Sequence, residues 1–178
     1  MSVIIAILLG VLTILLVVVI IGYNSPKLVV VDIKKIITQP TDVVFQACGD
    51  LNEFVKWSPW SEKDPQMKQT FNGEPFSVGS SYSWVGNRSV GTGSMKIDHI
   101  EANERIDFIL NFGPQGDVKT SFIFINNNGT TEMTWHFESD MGKNPFYRFF
   151  GNMMKGYLKK DFSQGLNNLE RYLSSAHE

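Results

Sequence analysis

The sequence predicts an α+β domain, a curled antiparallel sheet packed on one long C-terminal helix, carried behind a single membrane-spanning helix. Three observations predict it. Residues Val3 to Gly22 form an apolar run without a charge. From Tyr82 to Glu138 apolar and polar residues alternate, the two-residue period of antiparallel strands with one buried face. From Phe146 to Leu173 apolar residues recur every three or four positions, the period of a helix with one apolar face. A long amphipathic helix that follows a curled sheet must bury its stripe against the sheet's concave side.

In the N-terminal run, VIIAILLGVLTILLVVVIIG, sixteen of the twenty residues are Leu, Ile or Val. At ~1.5 Å per residue the helix is roughly 30 Å long, the thickness of a bilayer core. Each such residue favours insertion by ~0.3–0.6 kcal/mol, so insertion is favoured by several kcal/mol. A secretory signal wants a basic first region and a small-residue cleavage site. Here only Met1 and Ser2 precede the run, and IIGYNSPK offers no A-x-A. A buried core helix is seldom apolar all round for that length. The expectation is an uncleaved anchor with its link over residues 1–26 and one domain over 27–178. Lys27, Lys34 and Lys35 follow the run and no Lys or Arg precedes it, which predicts a single pass with the domain on the cytoplasmic side. The lone Cys48 cannot form an intrachain disulfide and does not contradict that compartment. A link of about five residues reaches at most roughly 17 Å, so the domain sits against the headgroups. The net charge of −2 lies wholly beyond Pro26 and leaves no basic stripe, which argues against nucleic acid as a partner.

Beyond the link, KLVVVDIKKII (Lys27 to Ile37) is β-branched and reads as a first strand. In QPTD, Thr41 is a candidate N-cap for two short helical pieces, DVVFQACGD and LNEFVKW, broken at Gly49. In the strand region, Ile106, Phe108, Leu110 and Phe112 share one face, and Met133, Trp135 and Phe137 share another. Glu132, Thr134, His136 and Glu138 lie opposite the latter set. GNRS, EANE, GPQG and the Asn-Gly of NNNGTT separate the strands, the last a hairpin signal. Asn144 and Pro145 form an N-cap and N1 pair for the final helix. Its expected stripe is Phe146, Phe150, Met154, Leu158, Phe162, Leu166, Leu169 and Leu173, widened near the start by Phe149, Met153 and Tyr157.

PTDVVFQACGDLNEFVKWSPW, GSSYSWVGNRSVGTGSMKI, TTEMTWHF and KKDFSQGLNNLERY occur in the order that resembles the helix-grip superfamily of START domains, plant pathogenesis-related allergens and polyketide cyclases (SRPBCC). The bacterial polyketide cyclase/dehydrase-like branch is the nearest likeness, over roughly Val29 to Tyr172. The resemblance implies a curved sheet of about seven strands around the C-terminal helix, commonly with a hollow between them. Its members include lipid carriers, receptors, cyclases and co-chaperone-like modules, so fold leaves function open.

Chemistry leaves few marks. His99, His136 and His177 have no metal-like spacing, no serine sits in a nucleophile elbow, and no glycine-rich phosphate loop is present. His136 falls on the polar face of its strand, whereas His99 shares parity with Met95 and Ile97, which keeps an inward position open beside the solvated one. No carboxylates pair at a spacing that fixes acid–base geometry, so catalytic, metal and cofactor residues are all set at none. Cyclases of the branch put polar catalytic groups inside the cavity. The candidate ligand-binding lining here is instead mostly aromatic and thioether: Tyr82, Trp84, Met95, His99, Trp135, Phe149, Met153 and Tyr157, with Trp60 at the mouth. Plain core packing explains the same residues, although methionines and rings together suit an adaptable apolar pocket. Pro59 turns the chain between Trp57 and Trp60, so Trp57 is expected in the core and Trp60 at the rim. Three functions follow: a membrane-tethered binder of a lipid or other apolar small molecule, a regulatory or partner-binding module with a filled core, or a cyclase-type enzyme. The first is favoured, non-enzyme over enzyme, with oligomeric state unassigned.

Overall fold

A computed structural model describes residues 2–113 and 116–175. His177 and the centre of the GPQG turn lie outside the described residues. The elements are α1 (Ser2–Asn24), β1 (Leu28–Ile37), α2 (Thr41–Gly49), α3 (Leu51–Trp57), α4 (Pro59–Lys63), β2 (Lys68–Asn72), β3 (Ser81–Val85), β4 (Thr92–Glu101), β5 (Arg105–Asn111), β6 (Asp117–Asn127), β7 (Thr130–Asp140) and α5 (Pro145–Ser175). The seven strands form one sheet in the order β1-β7-β6-β5-β4-β3-β2 with every pair antiparallel. This is the helix-grip arrangement, the sheet curved around the C-terminal half of α5.

Helix α1 is long and apolar enough to cross a membrane, and its side chains point outward along most of its length. The Asn-Gly hairpin is formed as expected: Asn128 and Gly129 have φ of 51° and 93°, the pair of positive values a two-residue primed turn demands. Between β1 and β3, several local readings change. Thr41 is the first residue of α2 rather than its cap, because its hydroxyl is engaged by Thr131 across the fold (3.2 Å). The residue between α2 and α3 is Asp50, whose carboxylate accepts the Asn52 amide at 2.8 Å and so starts the second helix. Helix α4 and strand β2 were not legible in the sequence. Ser58 caps α4 and Pro59 takes its first position, where a missing N–H costs nothing. KQTFN at β2 is mostly exposed at the sheet edge and shows no buried face to alternate.

The stripe on α5 is the largest correction. Phe162, Leu166, Leu169 and Leu173 are buried against the sheet, but Phe146, Phe150 and Met154 are exposed. Five successive steps of four residues from Phe146 to Leu166 turn a helix by about 200° at ~100° per residue. A run spaced only by fours therefore winds from one side of the helix to the other. Near its start α5 packs instead on β1 and α1. Gly151 lies against Met141 and Val29, where a Cβ would come within 2.6 Å of the Met141 sulfur.

Candidate functional site

The space between sheet and α5 is built from rings. Trp57 ends α3 and is 1% exposed, and its indole donates to the Ala47 carbonyl at 3.0 Å. Phe54, one turn earlier, meets it edge-on with centroids 4.8 Å apart. Trp135 on β7 stacks on Phe162 of α5 at 4.3 Å and 5°. This close stack is possible because the next turn of the helix carries Gly165, whose Cβ, if present, would lie 2.6 Å from the Trp135 ring. The Trp135 N–H donates to the Thr120 hydroxyl (3.1 Å), which in turn donates to the His136 carbonyl (2.6 Å). Trp60 is half-buried and meets Trp135 and Phe162 edge-on at 5.7 and 6.4 Å.

Tyr82, Trp84 and Met95 occupy the β3–β4 end of the same interior. Tyr82 pairs across the ladder with Met95, its ring 5.1 Å from Trp84 and 6.0 Å from Phe54. Burial raises the Tyr82 phenol well above its ordinary value. Trp84 lies over Gly93, where a Cβ would come 2.6 Å from the ring, so only glycine fits beneath it. The Trp84 indole N–H is buried and, among the described residues, has no hydrogen-bond partner. Cys48 is also interior, its thiol 3.8 Å from the Met133 sulfur and its acidity suppressed by burial. Among the described residues every buried side chain is uncharged at neutral pH. The interior therefore offers apolar contact with a few neutral donors.

The structure brings together Trp57, Trp60, Tyr82, Trp84, Met95 and Trp135. It does not add the other four. Phe149 is half-buried near the start of α5, edge-on to Phe150 at 5.5 Å, while Met153 (51%) and Tyr157 (67%) face outward. His99 is exposed, because the ladder skips a residue between Ile97 and His99. An extra residue at a bulge reverses the parity of everything after it, so Ile100 takes the inward position.

Two concavities open elsewhere. One, of about 490 Å³, lies where α2 begins beside the β4–β5 and β6–β7 turns, bordered by Thr41, Asp42, Asn103, Glu104 and Phe124. The other, of about 200 Å³, is on the sheet's outer face. There the registers align His99, Asp107, Ser121, His136 and Asp32 in one row across five strands. His136 Nδ1 lies 2.6 Å from Asp32, and Arg105 donates to Asp107 (2.6 Å) and Ser121 (3.0 Å). Alternation placed His136 on a polar face, but only the register shows which residues are its neighbours. His99 and Asp32 at its ends are exposed, Asp107 and His136 are half-buried and Ser121 is buried, and the row reads as a partly solvated polar ladder.

A family model described as polyketide cyclase / dehydrase and lipid transport matches residues 29–174. A search of curated proteins finds no match. Solved structures share the fold at low identity. A Staphylococcus aureus protein of unknown function, SA2116, superposes with a TM-score of 0.66 at 13% identity, covering 84% of this chain and 96% of that one. For Ara h 8.0201 the values are 0.61, 13%, 83% and 99%. For CalU16 from Micromonospora echinospora they are 0.57, 15%, 82% and 76%.

Proposed function

Because the chain belongs to the polyketide cyclase/dehydrase and lipid transport family, we propose that it is a membrane-anchored START-like domain that binds a lipid or other apolar small molecule between the sheet and α5. The observation that carries this reading is the uncharged, ring-lined interior in which the Trp84 N–H has no acceptor among the described residues. A buried donor without a partner costs about 1–3 kcal/mol. A guest with one acceptor group, an ester or a carboxyl, recovers that cost while its chain replaces contacts among Tyr82, Met95 and Trp84. Trp60 stands at the rim of the same space.

Helix α1 is the anchor in this proposal, with the domain on the cytoplasmic side where Lys27, Lys34 and Lys35 follow the span. Its last turns support retention over cleavage. Gly22 is pressed against the Pro145 backbone, and the Arg148 guanidinium donates to the carbonyls of Tyr23 (2.9 Å) and Ser25. A leader destined for removal gains nothing from such contacts. A second reading, a partner-binding module with a filled core, is favoured by Phe54, Trp57, Phe122 and Trp135, each at most 2% exposed.

All four tryptophans lie outside α1 and α5. Titrating the full chain in nanodiscs with a brominated fatty acid and following tryptophan fluorescence therefore reports on the interior. Saturable quenching, weakened several-fold by Trp84→Phe, is the expected result. Absence of saturable quenching favours the filled-core module.

A further inference from the structure

The first three turns of α5 carry a second apolar stripe that the fold leaves uncovered. Phe146, Tyr147, Phe150, Met153, Met154 and Tyr157 are all exposed. At ~100° per residue they fall within an arc of about 120°. That arc is centred roughly 120° around the helix from the one that Phe162, Gly165, Leu166, Leu169 and Leu173 bury against the sheet and α4. Six large apolar side chains together on a water-facing surface indicate a contact.

What covers the stripe follows from its position. Pro145 begins α5 against Gly22, and Arg148 reaches the Tyr23 and Ser25 carbonyls, so the stripe starts where the last turn of α1 meets the domain. Three turns extend it by roughly 16 Å from that point. Its charge is equally specific. The segment from Met141 to Lys160 contains Lys143, Arg148, Lys155, Lys159 and Lys160 and no Asp or Glu. Apolar side chains on one face with basic residues on the rest of the helix are what a helix lying in the headgroup–acyl boundary needs, and Lys143 and Lys160 at the ends of the segment suit anionic lipid.

We propose that Phe146 to Tyr157 of α5 lie in the boundary layer of the same bilayer that α1 crosses, fixing the domain's orientation on the membrane. The proposal rests on α1 being a retained span and is independent of whether the interior holds a ligand. The winding of the fours places the membrane face and the sheet face on successive halves of one helix. A lipid surface thereby reaches the helix that closes the interior.

The test places single cysteines in a Cys48→Ala background of the full chain, reconstituted in vesicles of mixed neutral and anionic phospholipid. A bimane label is attached at Tyr147, Phe150 or Met153, at Asn152 and Lys159 on the other side of α5, and at Leu12 within α1. Lipids brominated at shallow acyl carbons are expected to quench the stripe labels several-fold more than those at Asn152 and Lys159. Deeper bromines should quench the Leu12 label most. If the stripe labels are quenched by aqueous iodide while Leu12 remains in lipid, the proposal fails and the anchor stands. If Leu12 is also in water, the anchor reading fails first. Protection of the stripe from both quenchers, with disulfide cross-links between copies, would assign it to a second copy of the chain and overturn the proposal.

Discussion

Gly165 is where the grip of sheet on helix can be measured. An added Cβ there would lie 2.6 Å from the Trp135 ring and 3.2 Å from Pro59, and both neighbours are held, one by stacking on Phe162 and the other at the start of α4. Overpacking of this kind costs about 1–3 kcal/mol. Against it, replacing a helical glycine by alanine gains about 1 kcal/mol of propensity. Gly156, two and a half turns earlier in the same helix, has nothing within 4 Å of its would-be Cβ and isolates that gain. Gly156→Ala is therefore expected to stabilise, and Gly165→Ala to fall short of it by the overpacking cost. Taking that cost at ~2 kcal/mol, the two melting temperatures differ by roughly 4–8 °C for a chain of this size. Thermal melts of the full chain in detergent, followed by tryptophan fluorescence, measure the difference. Equal stabilisation by the two alanines would refute the placement of α5 on Trp135.

Trp57→Ala is expected to cost about 3–5 kcal/mol, as buried aromatic truncations do, and Trp60→Ala clearly less. Equal losses in chemical denaturation would make Trp60 a core residue rather than a rim residue. The Lys56 ammonium at 2.6 Å, and then the Tyr172 hydroxyl, hold the Glu53 carboxyl below its ordinary 4.5. A lowered folded value stabilises above 4.5 and is lost as pH falls through the folded value. The side chain is one-third exposed, so the loss is at most about 0.5 kcal/mol. Glu53→Gln should flatten the acid limb of a stability–pH profile by that amount, and an unchanged limb would show that the pair contributes nothing.

Strands with one face in the core were legible because burial writes a period of two into them, as in Met133, Trp135 and Phe137. Edge strand β2 is mostly exposed and left no such mark. His99 was misplaced because one bulged residue reverses parity without any signal in composition. The α5 stripe was misjudged because spacing by four mimics a fixed face over two steps and departs from it over five. Of the candidate lining, the strand residues other than His99 were identifiable by parity, whereas Phe149, Met153 and Tyr157 needed the helix's true rotation to be placed. Residue types thus pointed to an aromatic interior, but which rings meet depends on register and winding.

Native mass spectrometry of the full chain released from detergent tests the binding proposal most directly. The expected spectrum shows the chain with one apolar small molecule bound, and a lower bound fraction in Trp84→Phe, which keeps a ring but loses the unpartnered N–H. A spectrum of the bare chain alone, from wild type and variant alike and after incubation with lipid extract, would contradict an interior site for an apolar guest.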